Sequence, residues 1–385
     1  MTEKQNKAAQ DMTVSERVDP DDVMPDKVIP DKAVADKRIP DRDSGRAGQN
    51  GKRIAAVILM FVFFLGGRQL TQLVLDQRAA EAEAALMHSE TEYPMSRDVF
   101  LLDTYCAVTV YEGGGSEALG AAVDALNEYD DLMNYSKESS DIYRINHRSS
   151  DTVEVSATVA ELLGICYEFC VLTEGVLEPA IRPVTSLWDF KDEKKVPETG
   201  EITAALEKVR SRQWKIEGCT FTAFDKDVSI DVGAVAKGFI ADRIAEVLKE
   251  NGVTSAVINL GGNVLCVGER PDGKAFSVAV RDPAGENSYA FELELKEGSA
   301  VTAGAYERCF EENGVRYHHI IDPKTGYPAR TGLESVTVTG PVSAVCDALS
   351  TALFIMGEEE GKRFLDKYNA ANSSSYEAYF LKEKG

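Results

Sequence analysis

The chain has 385 residues, and its composition of 44% hydrophobic and 28% charged residues is that of a globular protein. Asp and Glu outnumber Lys and Arg by 64 to 42, which gives a formal net charge of −22. Because phosphate backbones are bound by clustered basic side chains, this charge argues against a protein that wraps nucleic acid. The seven cysteines are scattered and odd in number, so they predict neither a disulfide framework nor a zinc site.

Residues 1–50 are predicted to be a disordered tail. From Pro20 a five-residue pattern with Pro and Asp in step runs along the chain (PDDVM, PDKVI, PDKAV, ADKRI, PDRDS), and aromatic residues are absent. A segment of this composition cannot bury a hydrophobic core.

An apolar segment follows the tail and is predicted to cross a membrane. Residues 54–67 are all apolar or glycine, and the segment extends to residue 75 if Arg68 reaches toward one membrane face. Basic residues just before it favour a cytoplasmic N-terminus and an exported C-terminal part. We therefore expect a signal anchor over 51–77 that attaches the chain to the membrane through 54–75, followed by a helical stalk over 78–95. Cleavage as a signal peptide is the alternative, although the preceding tail is too long for an ordinary n-region.

Residues 96–385 are predicted to form one α+β domain. Strand-like alternation occurs at 106–112, 276–282, 289–295 and 334–340. Helical patterns occur at 116–133, 156–174, 201–211, 237–251, 344–356 and 358–368. Strands and helices do not alternate strictly and several strands look like hairpins, so we expect mixed, largely antiparallel sheets with flanking helices.

An anion-binding unit is predicted over residues 228–263. A strand over Val228–Val232 is expected to lead through a glycine-containing turn into a helix that carries Lys237 and Gly238 near its start. Helix N-termini and a nearby lysine bind phosphate groups. The pair Gly261-Gly262 would let the backbone approach a ligand closely. A purely structural strand–turn–helix unit explains the same pattern about equally well.

Two further segments carry candidate chemistry. In YHHIIDPKTGYP (317–328), His318 and His319 would point to opposite faces of a strand, so at most one can reach a given site. Asp347 and Thr351 are four residues apart on an otherwise small and apolar helix, and their oxygens suit Mg²⁺. The alternatives are a structural histidine, and an aspartate that favours the helix dipole with a threonine bonded back to its own helix.

Taken together and in order, the sequence segments resemble the ApbE family of FAD:protein FMN transferases. The matching segments are TYCAVTVY, SDIYRIN, the Pro-rich segment ending in SLWDF, DVGAVAKGFIADR, INLGGNV, TAGAYER, HHIIDPKTGYP and DALSTALFIMG. They span about 102–368, which is nearly the whole predicted domain. The resemblance implies that residues 96–385 are a single ApbE-like FMN transferase domain.

The resemblance also implies a set of site residues. Those expected to contact FAD are Leu102, Tyr135, Val176, Leu177, Glu178, Asp231, Lys237, His319 and Ile320. Asp231 and Lys237 would lie near the pyrophosphate, and His319 and Asp231 are the catalytic candidates, His319 as general base. Mg²⁺ would be held by Asp347, Thr351 and the backbone carbonyl of Ala234. The chain departs from the family pattern at Leu102, at Tyr135 with Ser136, and at the Val176-Leu177-Glu178 segment.

The implied reaction is the Mg²⁺-dependent transfer of FMN from FAD to a Thr or Ser hydroxyl of an acceptor flavoprotein, with release of AMP. The chain would be a single-pass membrane protein whose catalytic domain lies outside the cytoplasm. Two other functions stay open: a pyrophosphatase that hydrolyses FAD to FMN and AMP, and a flavin-binding protein without catalytic activity.

Overall fold

The computed structural model describes residues 93–283 and 288–383. The predicted tail over 1–50, the anchor over 51–77 and all but the last residues of the stalk lie outside these ranges. Within them, no helix combines the length and the hydropathy needed to cross a bilayer.

A seven-stranded sheet forms the centre of the fold. In spatial order its strands are β1 (Met95–Leu101), β2 (Thr104–Gly113), β6 (Val253–Leu260), β7 (Asn263–Val267), β10 (Gly298–Gly304), β13 (Leu333–Gly340) and β14 (Glu377–Lys382). Every neighbouring pair is antiparallel, which confirms the predicted α+β class and its largely antiparallel sheet.

Smaller sheets surround the central one. They comprise a three-stranded sheet of β3 (Thr152–Glu154), β5 (Thr220–Ala223) and β4 (Trp214–Glu217), a hairpin of β8 (Phe276–Arg281) and β9 (Tyr289–Leu295), and a hairpin of β11 (Cys309–Glu312) and β12 (Val315–His318). The β8–β9 hairpin covers one face of β6, β7 and β10 with a small apolar core of its own.

The helices pack mainly on the other face of the sheet. They are α1 (Gly115–Met133), α2 (Asp141–Asn146), α3 (Ala157–Leu172), α4 (Arg182–Thr185), α5 (Thr199–Leu206), α6 (Ala236–Glu250), α7 (Ser343–Met356) and α8 (Glu358–Asn372), with a 3₁₀ turn at Pro179–Ile181. The main hydrophobic core lies between this helical layer and the sheet. The predicted helices are confirmed in place, although α5 ends at Leu206 rather than at 211.

Helices α6 and α7 approach each other closely at their N-terminal ends. A Cβ atom on Gly238 would lie 2.3 Å from the backbone oxygen of Ser343, so only glycine permits this packing. Asp242 of α6 also accepts hydrogen bonds from the N–H groups of Ser343 and Ala344, each at 2.9 Å. The first turn of α7 is thereby capped by a carboxylate from its neighbour.

Two features of the fold differ from the sequence expectations. Val228–Val232, predicted as a strand, joins no sheet; the Asn146 side chain instead bonds both the N–H and the carbonyl of Ile230. Strand β1 begins at Met95, inside the predicted stalk, and its exposed polar residues hide the alternation of an edge strand. The Gly261-Gly262 pair, with φ of 61° and 91°, forms the β6–β7 turn, and Gly261 packs against Thr104; a close approach of this turn to a ligand stays a prediction.

Candidate active site

The Asp347 carboxylate lies where α6 and α7 meet. It is 4% exposed, and its Oδ2 accepts the Gly238 N–H at 2.8 Å. Burial raises the pKa of Asp347 to about 6, while Lys237 and the Gly238 hydrogen bond act in the opposite direction. Thr351 lies one helical turn further along α7, so both oxygens are on one helix face. The predicted helix is thus confirmed, whereas the binding of a metal ion by these two residues stays a prediction.

Lys237 supplies positive charge at the start of α6. Its ammonium lowers the pKa of Asp347, of His319 and of Glu307. Two of the first three N–H groups of α6 are already used, by Asp347 and by the carbonyl of Val232. An anion at this helix end would therefore be attracted mainly by the lysine charge.

Asp231 ties the turn before α6 to the 179–185 segment. Its Oδ1 accepts the N–H of Gly233 at 2.9 Å, and its Oδ2 accepts the Thr185 hydroxyl at 2.8 Å. Its own N–H donates to the carbonyl of Pro179 at 2.7 Å. The half-buried carboxylate is thus held in one orientation beside Ala234, which lies in the same turn.

The two adjacent histidines face different surroundings. His318 ends β12 and is buried; its Nε2 donates to the Ala329 carbonyl at 3.0 Å, and its Nδ1 accepts the Ile320 N–H at 3.3 Å. His319 is half-buried, and within the described part of the chain its buried Nδ1 has no hydrogen-bond partner. Burial together with the charges of Arg308 and Lys237 lowers the pKa of His319 to about 3. The ring is therefore neutral at neutral pH.

Leu102 and Asp103 form the turn between β1 and β2, and hydrogen bonds connect this turn to distant parts of the chain. Both residues have positive φ, 54° and 59°, as a type I′ turn requires. The Leu102 N–H donates to the buried Asp130 at the end of α1, and the Asp103 carbonyl accepts from Arg308 at 3.3 Å. Since His319 donates its N–H to the Arg308 carbonyl at 3.0 Å, Arg308 links Asp103 of this turn to the histidine.

Tyr135 is the exposed aromatic of this region. Its ring is 43% exposed, and the Arg182 guanidinium stacks over it at 4.2 Å from the ring centre. Arg182 begins α4, the helix whose Thr185 bonds Asp231. Tyr135 and Asp231 are therefore joined through one short helix.

The 176–178 segment is held largely by the protein itself. The Leu177 side chain is buried, and the Glu178 carboxylate caps the 3₁₀ turn by accepting the Ala180 N–H at 2.9 Å. Val176 is half-buried and keeps part of its side chain accessible. Contacts to a ligand from this segment would come from Val176 and the backbone, since the Glu178 carboxylate is engaged.

Sequence reasoning missed three residues that act on this region. Glu307 and Arg308 follow β10 and interact electrostatically with Lys237 and His319, respectively. Asn263 is fully buried beside Asp347. All three lie in two of the segments that resemble the family, TAGAYER and INLGGNV. Their place in those segments was the one sequence signal that could have identified them.

The predicted Mg²⁺ ligands, Asp347, Thr351 and the carbonyl of Ala234, are all oxygen donors, the type that Mg²⁺ prefers. In residues 93–283 and 288–383 no group of three or more His, Cys, Asp or Glu side chains is arranged to hold a metal. A cation here would rely on one carboxylate with hydroxyl and carbonyl oxygens. Mg²⁺ accepts such sets because it keeps several of its waters and substrate phosphates supply further ligands.

Comparisons with known proteins identify the family of the chain. The model of the ApbE family matches residues 102–379. A protein from Treponema pallidum (strain Nichols), named FAD:protein FMN transferase, is 32% identical over 71% of this chain and 82% of its own length. One of the same name from Klebsiella pneumoniae (strain 342) is 34% identical over 64% of this chain and 78% of its own.

Solved structures show the same fold. The crystal structure of the ApbE protein from Thermotoga maritima aligns with a TM-score of 0.67 and 28% identity, covering 74% of this chain and 94% of that one. The flavin transferase ApbE from Vibrio cholerae aligns with a TM-score of 0.65 and 25% identity, covering 75% of this chain and 97% of that one.

Proposed function

The chain belongs to the ApbE family, and on this basis we propose that it transfers FMN from FAD to a Thr or Ser hydroxyl of an acceptor protein, releasing AMP. The observation that carries the proposal is the convergence of Lys237 with a buried carboxylate, Asp347, and a neutral histidine, His319. Phosphoryl-group transfer needs charge neutralisation and a proton acceptor, and these residues provide both.

The reaction balances without an oxidant or a further reactant. The acceptor hydroxyl oxygen forms a bond to the phosphorus of the FMN half of FAD, and the bond from that phosphorus to the bridging oxygen breaks. The products are a phosphoester on the acceptor and AMP. In this proposal His319, whose ring is neutral at neutral pH, takes the hydroxyl proton.

The remaining site residues bind and orient FAD in this proposal. Lys237 attracts the pyrophosphate, and Asp231 holds the turn beside it. The other contacts to FAD are assigned to Leu102, Tyr135, Val176, Leu177, Glu178 and Ile320. Leu102 and Tyr135 lie on the flavin side, Ile320 lies beside the nucleotide with His319, and Val176 to Glu178 form the adenosine side.

Asp347, Thr351 and the carbonyl of Ala234 would hold Mg²⁺. When bound, this ion would neutralise the pyrophosphate and stabilise the charge that develops on phosphorus. The support is chemical: hard oxygen donors, and a carboxylate whose buried negative charge a nearby cation would stabilise.

We also propose that the domain over 96–385 acts outside the cytoplasm, tethered by a single membrane span over 54–75. The support is the uninterrupted apolar run over 54–67 and the basic residues that precede it. The tail over 1–50, the anchor over 51–77 and the stalk over 78–95 complete this organisation.

The test is flavinylation of a protein. The chain is incubated with FAD, Mg²⁺ and an acceptor flavoprotein domain, and in-gel flavin fluorescence is read after denaturation. The expected result is a fluorescent acceptor band that vanishes with EDTA and with an acceptor whose target Thr is replaced by Ala. AMP with free FMN and no labelled band would indicate a pyrophosphatase. Bound FAD without turnover would indicate a carrier.

A further inference from the structure

A buried polar network connects α7, the helix that carries Asp347, to the strand that follows the Gly261-Gly262 turn. Asn263 opens β7 and is fully buried, and its Oδ1 accepts a hydrogen bond from Ser343 Oγ at 2.8 Å. Ser343 Oγ lies 2.9 Å from Ser299 Oγ, which in turn lies 2.8 Å from the carbonyl of Val264. Polar side chains from β7, α7 and β10 thus form one continuous chain in the core.

The Ser343 hydrogen bond fixes which way the Asn263 amide points. Because Oδ1 accepts from Ser343, Nδ2 occupies the other position. Nδ2 is buried and makes no hydrogen bond within the described ranges. Ser343 and Asp347 are one helical turn apart on α7, so the amide held by Ser343 lies at the helix face that carries the Asp347 carboxylate. A buried N–H group without a partner is costly, so its placement beside a carboxylate points to a role there.

We propose that Asn263 is a positioning residue, one that donates from Nδ2 to the Asp347 carboxylate and so orients it toward a divalent cation. This inference rests on the proposed function, because it takes Asp347 as the metal ligand. Gly238 already holds Oδ2 through its N–H at 2.8 Å, and a second N–H donor fixes the rotation of the carboxylate. Groups that orient a metal ligand are worth about 10- to 100-fold in metal affinity.

Mn²⁺ is the probe for this inference, because it prefers the same oxygen ligands as Mg²⁺ and is counted directly by EPR. Titrations use the full chain without FAD. Asn263→Leu keeps the side-chain volume but removes both polar atoms, and it is expected to raise the Mn²⁺ dissociation constant about 10- to 100-fold. Ser343→Ala frees the amide to rotate and is expected to raise the constant by a smaller factor.

Ser299→Ala is the matched control. It removes a buried hydroxyl of the same network but leaves the Ser343–Asn263 hydrogen bond in place, so it should bind Mn²⁺ as the wild type does. Thermal unfolding followed by circular dichroism measures the stability of each variant. Should Asn263→Leu fail to fold, Ser343→Ala decides the matter.

The outcomes are distinct. Mn²⁺ binding that depends on Asp347 but is unchanged in Asn263→Leu and Ser343→Ala overturns this inference alone. The inference is also overturned if Asn263→Leu weakens Mn²⁺ binding no more than Ser299→Ala does at an equal loss of stability. Asn263 would then act only through packing. If the wild type binds Mn²⁺ no better than Asp347→Asn does, the metal assignment fails and the inference fails with it.

Discussion

His318 and His319 are neighbours in the chain, yet their side chains are engaged in different ways. Both ring nitrogens of His318 are hydrogen-bonded, and its ring meets Phe354 edge to face at 5.4 Å. The ring of His319 keeps a buried Nδ1 without a partner among the described residues. Strand alternation predicts that at most one histidine reaches the site. Choosing between them requires the tertiary contacts of His318.

His319→Asn is expected to slow FMN transfer about 100- to 10,000-fold, because it removes the proton acceptor. The dissociation constant of FAD, measured by quenching of flavin fluorescence, should change far less. Single-turnover labelling of the acceptor gives the rate. The control is His147→Asn, which alters an exposed histidine at the end of α2. Equal losses of binding and of rate would make His319 a binding residue instead.

Asp347→Asn separates the effect of this carboxylate on stability from its proposed role in binding Mg²⁺. Since burial raises the folded-state pKa to about 6 from 3.8, ionised Asp347 lowers the unfolding free energy at neutral pH, by about 3 kcal/mol at most. The variant keeps an oxygen for the Gly238 N–H, so without metal it should be at least as stable as the wild type. We expect Mg²⁺ to raise the melting temperature of the wild type only. An equal Mg²⁺ effect on both proteins would place the cation elsewhere.

His318 makes the fold sensitive to acid. Burial lowers its pKa to about 4 from 6.5, so between these values the folded state binds fewer protons than the unfolded state. The unfolding free energy therefore falls as pH falls through this window, by about 2 kcal/mol at about pH 5. The unfolding free energy of His318→Gln, measured by urea titration, should therefore fall by about 2 kcal/mol less than that of the wild type between about pH 7 and about pH 5. Identical pH profiles would show that His318 is not buried as a neutral ring.

Among the helices, the close contact of α6 and α7 positions Lys237 and Asp347 together. In Gly238→Ala the new Cβ would meet the backbone of Ser343 and Ala344, which cannot move aside without separating the helices. We expect the unfolding free energy to fall by about 1–3 kcal/mol.

Gly120→Ala is the matched control for this contact. Gly120 lies on the exposed face of α1 with no atom within 4 Å of an added Cβ, so the substitution should stabilise by about 0.5–1 kcal/mol. Urea denaturation of both variants measures the difference. A Gly238→Ala protein as stable as the wild type would mean that the two helices can separate without cost.

The segment before α6 shows that an apolar strand pattern does not by itself determine whether a segment joins a sheet. Val228–Val232 has the apolar alternation of a strand, but its backbone bonds the side chain of Asn146, 84 positions before Ile230, and the carbonyl of Pro179. The reverse holds for β1, which joins the main sheet although Arg97 and Asp98 interrupt its apolar pattern. Local patterns report burial, whereas sheet membership depends on distant partners.

For the whole domain, the order of short motifs predicts the fold better than any single motif does. The strands and helices that carry them are largely where the sequence expects them, and the family model spans 102–379. The tertiary links of the site could not be predicted in this way. Asp242 capping α7, Arg308 on the Leu102-Asp103 turn and Asn263 beside Asp347 all join residues far apart in sequence, and no local period encodes them.

The measurement that tests the central claim most directly is the stoichiometry of products in one quenched reaction. AMP is quantified by chromatography and acceptor-bound flavin by intact mass, over time, with FAD and Mg²⁺ present. FMN transfer to a protein hydroxyl predicts one AMP for each flavin gained by the acceptor, and neither product after EDTA. AMP that accumulates with free FMN, while the mass of a competent acceptor stays unchanged, would contradict the account.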